Sequence, residues 1–252
     1  MNLQFYFLLN IILISRLLFT FKDEPITRKQ TVVTVVIQLT GLLAYEIRFA
    51  LTVLTVILIA LSMVFYLLEK RLIKINELRL LSLIIHLIVL SIFFSPSINL
   101  NFNSHTSSLI KLLGHYFLPI SLTGNVNWLR INILLMGLLL VTNEVNILVR
   151  YLFQKLNLAP MKRVKIDEKI IDNIDKQELN AGRFIGILER VLIYYLILNA
   201  EFSAIGLILA AKGFARFKEL DVREFAEYVL IGTLLSALLA MIIAEIVQRL
   251  MP

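Results

Sequence analysis

Ten side chains in the second half of the chain have the types and spacing to do chemistry: Asn143, Glu144, Asn146, Arg150, Arg183, Glu189, Arg190, Lys212, Arg216 and Glu227. Asn143, Asn146 and Arg150 are spaced i, i+3, i+7 and so share one helical face, with Glu144 beside them. Arg183 and Arg190 lie a heptad apart, Glu189 falls on the neighbouring stripe, and Lys212 and Arg216 are one turn apart. With Glu224 added, the acids Glu144, Glu189, Glu224 and Glu227 nearly balance the bases. Two chemistries fit such a set. One is a network of ion pairs that locks helices together and adds specificity more than stability. The other is a charged cavity, open to the cytoplasm, that binds or conducts a small ion, an anion or a lipid headgroup. Catalysis would need more than the sequence offers: there is no HExxH, no glycine-rich phosphate loop, no GxSxG and no acidic cluster for magnesium. No catalytic residue, cofactor or metal site is therefore expected. His86 lies in an apolar run and reads as packed or hydrogen-bonded, while His105 and His115 are ten residues apart in one loop. The absence of cysteine excludes disulfides, thiolate zinc sites and a cysteine nucleophile.

Such residues must be carried by apolar elements, because 59% of the 252 residues are hydrophobic and only 17% are charged. The mean hydropathy is +0.84. A soluble domain carries roughly 45–50% apolar and about 25% charged residues, so too few charges are present to coat a water-facing surface. A bilayer removes that requirement. The net charge of +7 does not point to nucleic acid, since the basic residues sit between apolar runs, where they act as topology signals.

A helix needs about 20 residues to cross the hydrocarbon. Apolar runs of that order lie near 3–21, 31–45, 49–68, 80–96, 130–152, 184–200, 202–217 and 225–248. The fold class read from them is all-α: a polytopic transmembrane helical bundle of about eight spans plus amphipathic interfacial helices. Met1 to Thr20 lacks a basic leading region and a small-residue cleavage site, so it is expected to remain as the first span. Tyr45 to Arg48 reads as a tight turn between the second and third spans. The seventh run is short and would either cross or be re-entrant. Nineteen of the twenty-five Lys and Arg residues fall on alternate connections: 22–30, 69–79, 150–183 and 212–223. That asymmetry predicts those connections in the cytoplasm and both termini outside it. The expected location is a bacterial cytoplasmic membrane.

Two halves are read, 1–129 and 130–252, each with one long polar connection. In 97–129, Leu109, Ile110, Leu113, Tyr116 and Phe117 recur at helical spacing, which predicts an external helix on the membrane surface. In 153–182, Ile166, Ile170, Ile171 and Ile174 share one face among mixed charges, which predicts an amphipathic cytoplasmic helix. Gly232, Ser236 and Ala240 form a small-residue ridge, and Gly182 and Gly186 a second small stripe; both let a neighbouring backbone approach closely. The ridge would serve a homo-oligomer or packing within the chain.

The stretch from Asn180 to Arg190, then Ala204 to Lys212, Arg216-Phe217, Ala226-Glu227-Tyr228 and Ile231 to Ser236, together with Asn143 to Asn146 and Arg150, resembles the C-terminal part of a bacterial membrane-protein family catalogued as domain of unknown function 3307. The resemblance covers about residues 135–245. It implies that the clustered polar face is a shared feature, and it implies no biochemical activity. Members of that family often begin with a His and an Asp in the first span, and Met1 to Thr20 has neither.

The functional expectation is a charged, cytoplasm-facing cavity that binds or conducts a small ion, an anion or a lipid headgroup. Its rival is a non-transporting scaffold that meets a cytoplasmic protein partner through 153–182. A lipid-modifying enzyme is the third reading, without a nucleophile and base at usable spacing to support it.

Overall fold

Leu, Ile, Val and Phe fill the long apolar runs, and in hydrocarbon a helix satisfies every backbone donor and acceptor within its own segment. The computed structural model describes residues 3–20, 24–71, 74–116, 127–156, 176–215 and 223–252, and these are helical apart from short connections. In chain order the elements are α1 Leu3–Arg16 with a 3-10 turn at Leu17–Phe19, α2 Arg28–Leu42, α3 Phe49–Arg71, α4 Ile75–Phe93, α5 Ser104–Tyr116 and α6 Trp128–Leu139. A π turn at Leu140–Glu144 joins α6 to α7 Val145–Lys155, and α8 Lys176–Leu198, α9 Phe202–Ala215 and α10 Arg223–Leu250 follow.

Among the described residues four helices are long and apolar enough to cross a membrane: Phe49–Arg71, Ile75–Phe93, Trp128–Lys155 and Val229–Leu250. A helix occupies each of the eight predicted places, but the other four lack that combination of length and hydropathy. With 14, 15 and 14 residues, α1, α2 and α9 rise about 21–23 Å against a hydrocarbon thickness of roughly 30 Å. α8 has the length, but Arg183, Glu189 and Arg190 interrupt its apolar run. α4 starts at Ile75, five residues before the predicted boundary, and this draws Arg79 into the helix. Apolar side chains face outward on the long helices, including Val56, Ile59 and Met63 of α3 and Ile84, Ile88 and Ile92 of α4.

The chain divides into two compact units, residues 1–139 with 251–252 and residues 140–250. The division falls at the start of the π turn, ten residues after the 129/130 boundary read from the sequence, which lies inside α6.

In the first unit α1 is the central element, packed on α2, α4 and α6. It is buried almost all round, through Phe5, Leu8, Leu9, Ile12 and Leu13. Asn10 Nδ2 donates to Asn132 O of α6 at 2.9 Å. α2 comes close because Gly41 has no side chain: a Cβ there would lie 2.7 Å from Cγ2 of Ile11. Ile11 is β-branched and has little freedom to turn away. Gly41→Ala is therefore expected to destabilise the protein by about 1–3 kcal/mol through overpacking. A lowered thermal midpoint in detergent checks this; an unchanged midpoint would show that α1 and α2 part freely.

At one end of this unit the segment 44–46 zips onto 101–103. Glu46 N donates to Asn101 O at 3.1 Å and Asn103 N to Ala44 O at 3.0 Å. Tyr45 packs on Phe7, Phe94 and Phe102, and its hydroxyl donates to Gln4 O. Asn103 Oδ1 then caps α5 by accepting from Thr106 N at 2.7 Å. α5 covers much of the helix expected in 97–129 and exposes Leu109, Leu112 and Leu113; Phe117 lies outside the described residues.

At the other end Glu69 of α3 and Arg79 of α4 form a buried ion pair, 3% and 1% exposed. Arg79 was expected among the loop charges of 69–79, and the structure corrects this. Its Nε donates to Glu69 Oε1 at 3.0 Å and its Nη2 to Oε2 at 3.3 Å. Glu69 Oε2 also accepts from Ile26 N at 3.0 Å. Arg16 donates to Arg79 O at 2.8 Å and to Ser82 Oγ at 3.2 Å. Both guanidiniums lie over the Phe19 ring, at 5.3 and 4.8 Å from its centroid, within the range of cation–π attraction.

In the second unit α8 packs along α10, with α7 against α10 and α9 against α8. Ala237, Ala240 and Ala244 of α10 are buried. A Cβ on Gly232 would lie 2.9 Å from Cζ of Phe153 in α7. The small-residue ridge thus serves close packing inside this unit. The break between α8 and α9 falls at Asn199 to Glu201, where Ala200 takes a left-handed conformation with φ 58°. Most of 153–182 lies outside the described residues, so the amphipathic helix expected there does too.

Candidate functional site

The second unit collects its polar groups around a π turn. Such a turn carries one extra residue within a helix, which loosens the i→i+4 ladder and leaves carbonyls to be met by other groups; π turns recur at functional sites. Here Arg190 of α8 reaches across and its Nε donates to Val141 O at 3.1 Å. Its Nη1 donates to Ser236 Oγ of α10 at 3.1 Å. One guanidinium therefore ties the π turn, α8 and α10 together. Arg190 is only 5% exposed. Its Nη2 is buried and has no hydrogen-bond partner among the described residues.

The π turn supplies the other buried polar groups. Asn143 and Glu144 are 1% and 5% exposed, and Asn143 Nδ2 donates to Glu144 Oε1 at 2.9 Å. Asn146 follows on α7 and is also buried. Arg150, half-buried one turn further on, donates from Nε to Asn146 O at 3.3 Å.

Glu189 precedes Arg190 in sequence but belongs to a different contact. It forms an ion pair with Lys212 of α9, with both side chains less than a fifth exposed. Glu189 and Arg190 therefore do not neutralise each other by a hydrogen bond: the carboxylate takes the lysine, and the guanidinium takes a carbonyl and a hydroxyl. That separation leaves a buried cation whose hydrogen bonds go to neutral oxygens.

No family model, no curated protein and no solved structure matches this chain.

The ten residues singled out in the sequence thus divide. Asn143, Glu144 and Asn146 lie at the π turn and the start of α7, Arg190 joins the turn through Val141 O, and Glu189 and Lys212 form a separate pair. Arg183 is half-buried, Glu227 is exposed, and Arg216 lies outside the described residues. Among the helix-packing positions, Ser236 is a hydrogen-bond acceptor for Arg190, which small-residue spacing does not reveal. Among the described residues nothing lies within 4 Å of a Cβ built on Gly182, while one on Gly186 would lie 3.6 Å from Arg190 Nη1. The cluster of Arg16, Glu69, Arg79 and Ser82 in the first unit was also missed as a group. Its one signal is a Glu and an Arg ten residues apart around a short turn. Among the described residues no three His, Cys, Asp or Glu side chains gather to hold a metal.

Proposed function

We propose that the chain is embedded in a bilayer and that its second unit binds or conducts a small anion at Arg190. The observation that carries this reading is the buried Nη2 of Arg190, an ionised donor with no hydrogen-bond partner among the described residues. A buried charged donor with no acceptor is costly, and the nearby Glu189 carboxylate acts on Arg190 through space without accepting a hydrogen bond from Nη2. An anion at Nη2 supplies the missing partner, with Ser236 Oγ close by as a second donor. Because that nitrogen is closed to solvent, entry requires a local opening of the helices around it.

The proposal includes eight crossings in a bacterial cytoplasmic membrane with both termini outside. The uneven distribution of Lys and Arg supports the orientation, and removing the buried Arg79 from that tally leaves the asymmetry in place. The resemblance of about residues 135–245 to the family of unknown function 3307 is consistent with the polar face and adds no activity.

Anion flux into liposomes tests the reading, with chloride, nitrate and phosphate as probes. Arg190→Gln is expected to lower flux at least about tenfold, the loss of one charge-assisted contact. Lys212→Gln should have a smaller effect, because Lys212 already has a carboxylate. Flux that is unchanged in folded Arg190→Gln would overturn the reading.

A further inference from the structure

Where α8 turns into α9, an apolar groove of about 460 Å³ opens beside α10. This lies within the roughly 300–1,000 Å³ of small-molecule sites. Its walls are Ile197, Phe202, Ile205, Met241, Ile242 and Ile246, and Glu245 and Arg249 stand on its rim. Gln248 Nε2 of α10 donates to Ile197 O at 3.0 Å and fixes the spacing of the two helix ends. The groove begins two turns beyond Arg190 and shares no residue with the π-turn cluster.

Apolar walls alone would accept any apolar occupant, so the rim decides. Glu245 and Arg249 lie one turn apart on α10 and are paired, Arg249 Nε to Glu245 Oε1 at 2.9 Å. Both side chains stay more than half exposed. The pair engages one guanidinium nitrogen and one carboxylate oxygen, which leaves the terminal nitrogens of Arg249 and the second oxygen of Glu245 for a ligand. An acid and a base held side by side at the mouth of an apolar groove complement a headgroup that carries both charges.

We propose that this groove binds a phospholipid with a primary-ammonium zwitterionic headgroup, the phosphatidylethanolamine type. Its phosphate meets Arg249, its ammonium donates to Glu245, and an acyl chain lies along Phe202, Ile242 and Ile246. A choline headgroup has no N–H to give Glu245. A glycerol headgroup has no cation and sets a phosphate against the carboxylate. The selectivity expected is therefore ethanolamine over choline, and choline over glycerol.

The test uses the full chain reconstituted in vesicles of equal parts phosphatidylethanolamine, phosphatidylcholine and phosphatidylglycerol. The protein is then extracted and its retained lipids are counted by mass spectrometry. Ethanolamine lipid should exceed choline lipid by about threefold, the scale of a contact between exposed charges. Glu245→Gln should remove that preference, and Arg249→Gln should lower retention of both lipids. Ile242→Trp, which fills the groove, should lower retention of all three. Helical content and thermal midpoint establish that each variant is folded, and both charged positions are exposed enough to be replaced without disturbing the core. Equal retention of the three lipids, enrichment of the glycerol lipid, or a preference that survives in Glu245→Gln would each overturn the proposal.

Discussion

Glu69→Gln is expected to destabilise the first unit by about 3–5 kcal/mol, the cost of leaving a buried charge without its partner. Arg79 is 1% exposed and would lose the carboxylate that accepts from its Nε and Nη2. The amide left behind offers one neutral acceptor and places an N–H₂ against a guanidinium or against Ile26 N. The Phe19 ring does not substitute, since cation–π contacts contribute roughly 0.5–2 kcal/mol and Arg16 shares the same ring. Removing both charges behaves differently: Glu69→Leu with Arg79→Met should recover most of the loss, because apolar replacement of a whole buried pair is often neutral or better. Unfolding of the three variants in detergent distinguishes the cases. If Glu69→Gln lowers stability no more than the double variant does, the pair is not a buried lock and water reaches it.

Arg190→Met separates the two meanings of the second cluster. As a lock, Arg190 holds the π turn and α10, and its loss strands Val141 O and Ser236 Oγ at about 1–3 kcal/mol for each group left unsatisfied. As an anion site, the same change also removes a buried guanidinium, and that relief offsets part of the cost. The expected result is a folded variant, destabilised by no more than about 2 kcal/mol, since the two effects oppose. Its thermal midpoint should no longer respond to added chloride, nitrate or phosphate. The unaltered protein should gain about 2.7 kcal/mol at an anion concentration one hundred times the dissociation constant. A midpoint in the unaltered protein that ignores every anion, together with a large loss in Arg190→Met, would identify the cluster as a lock alone.

How much of this was legible in the sequence varied with distance along the chain. Helix positions were read closely where apolar runs are long: α3 was expected at 49–68 and covers Phe49–Arg71. The break at Asn199 to Glu201 was read from polar residues between two apolar runs. Arg79 was misread because a charge near the end of an apolar run resembles a loop charge, and its partner Glu69 lies beyond the turn. Ser236 was read as a packing residue, since its role depends on Arg190, forty-six residues earlier. The π turn left no mark beyond the neighbouring Asn143 and Glu144, because a helix that takes in one extra residue keeps the same composition.

Composition and apolar run length by themselves determined that this chain is helical, with segments able to cross a bilayer. Those properties follow from local energetics: hydrocarbon does not hydrogen-bond, so each apolar segment must satisfy its own backbone. Only the tertiary structure decided how the charges are shared. Glu69 takes Arg79, Glu189 takes Lys212, and Arg190 takes Val141 O and Ser236. These choices depend on which helix faces meet, and a buried side chain's partner is set by packing across the bundle, not by its neighbours in sequence.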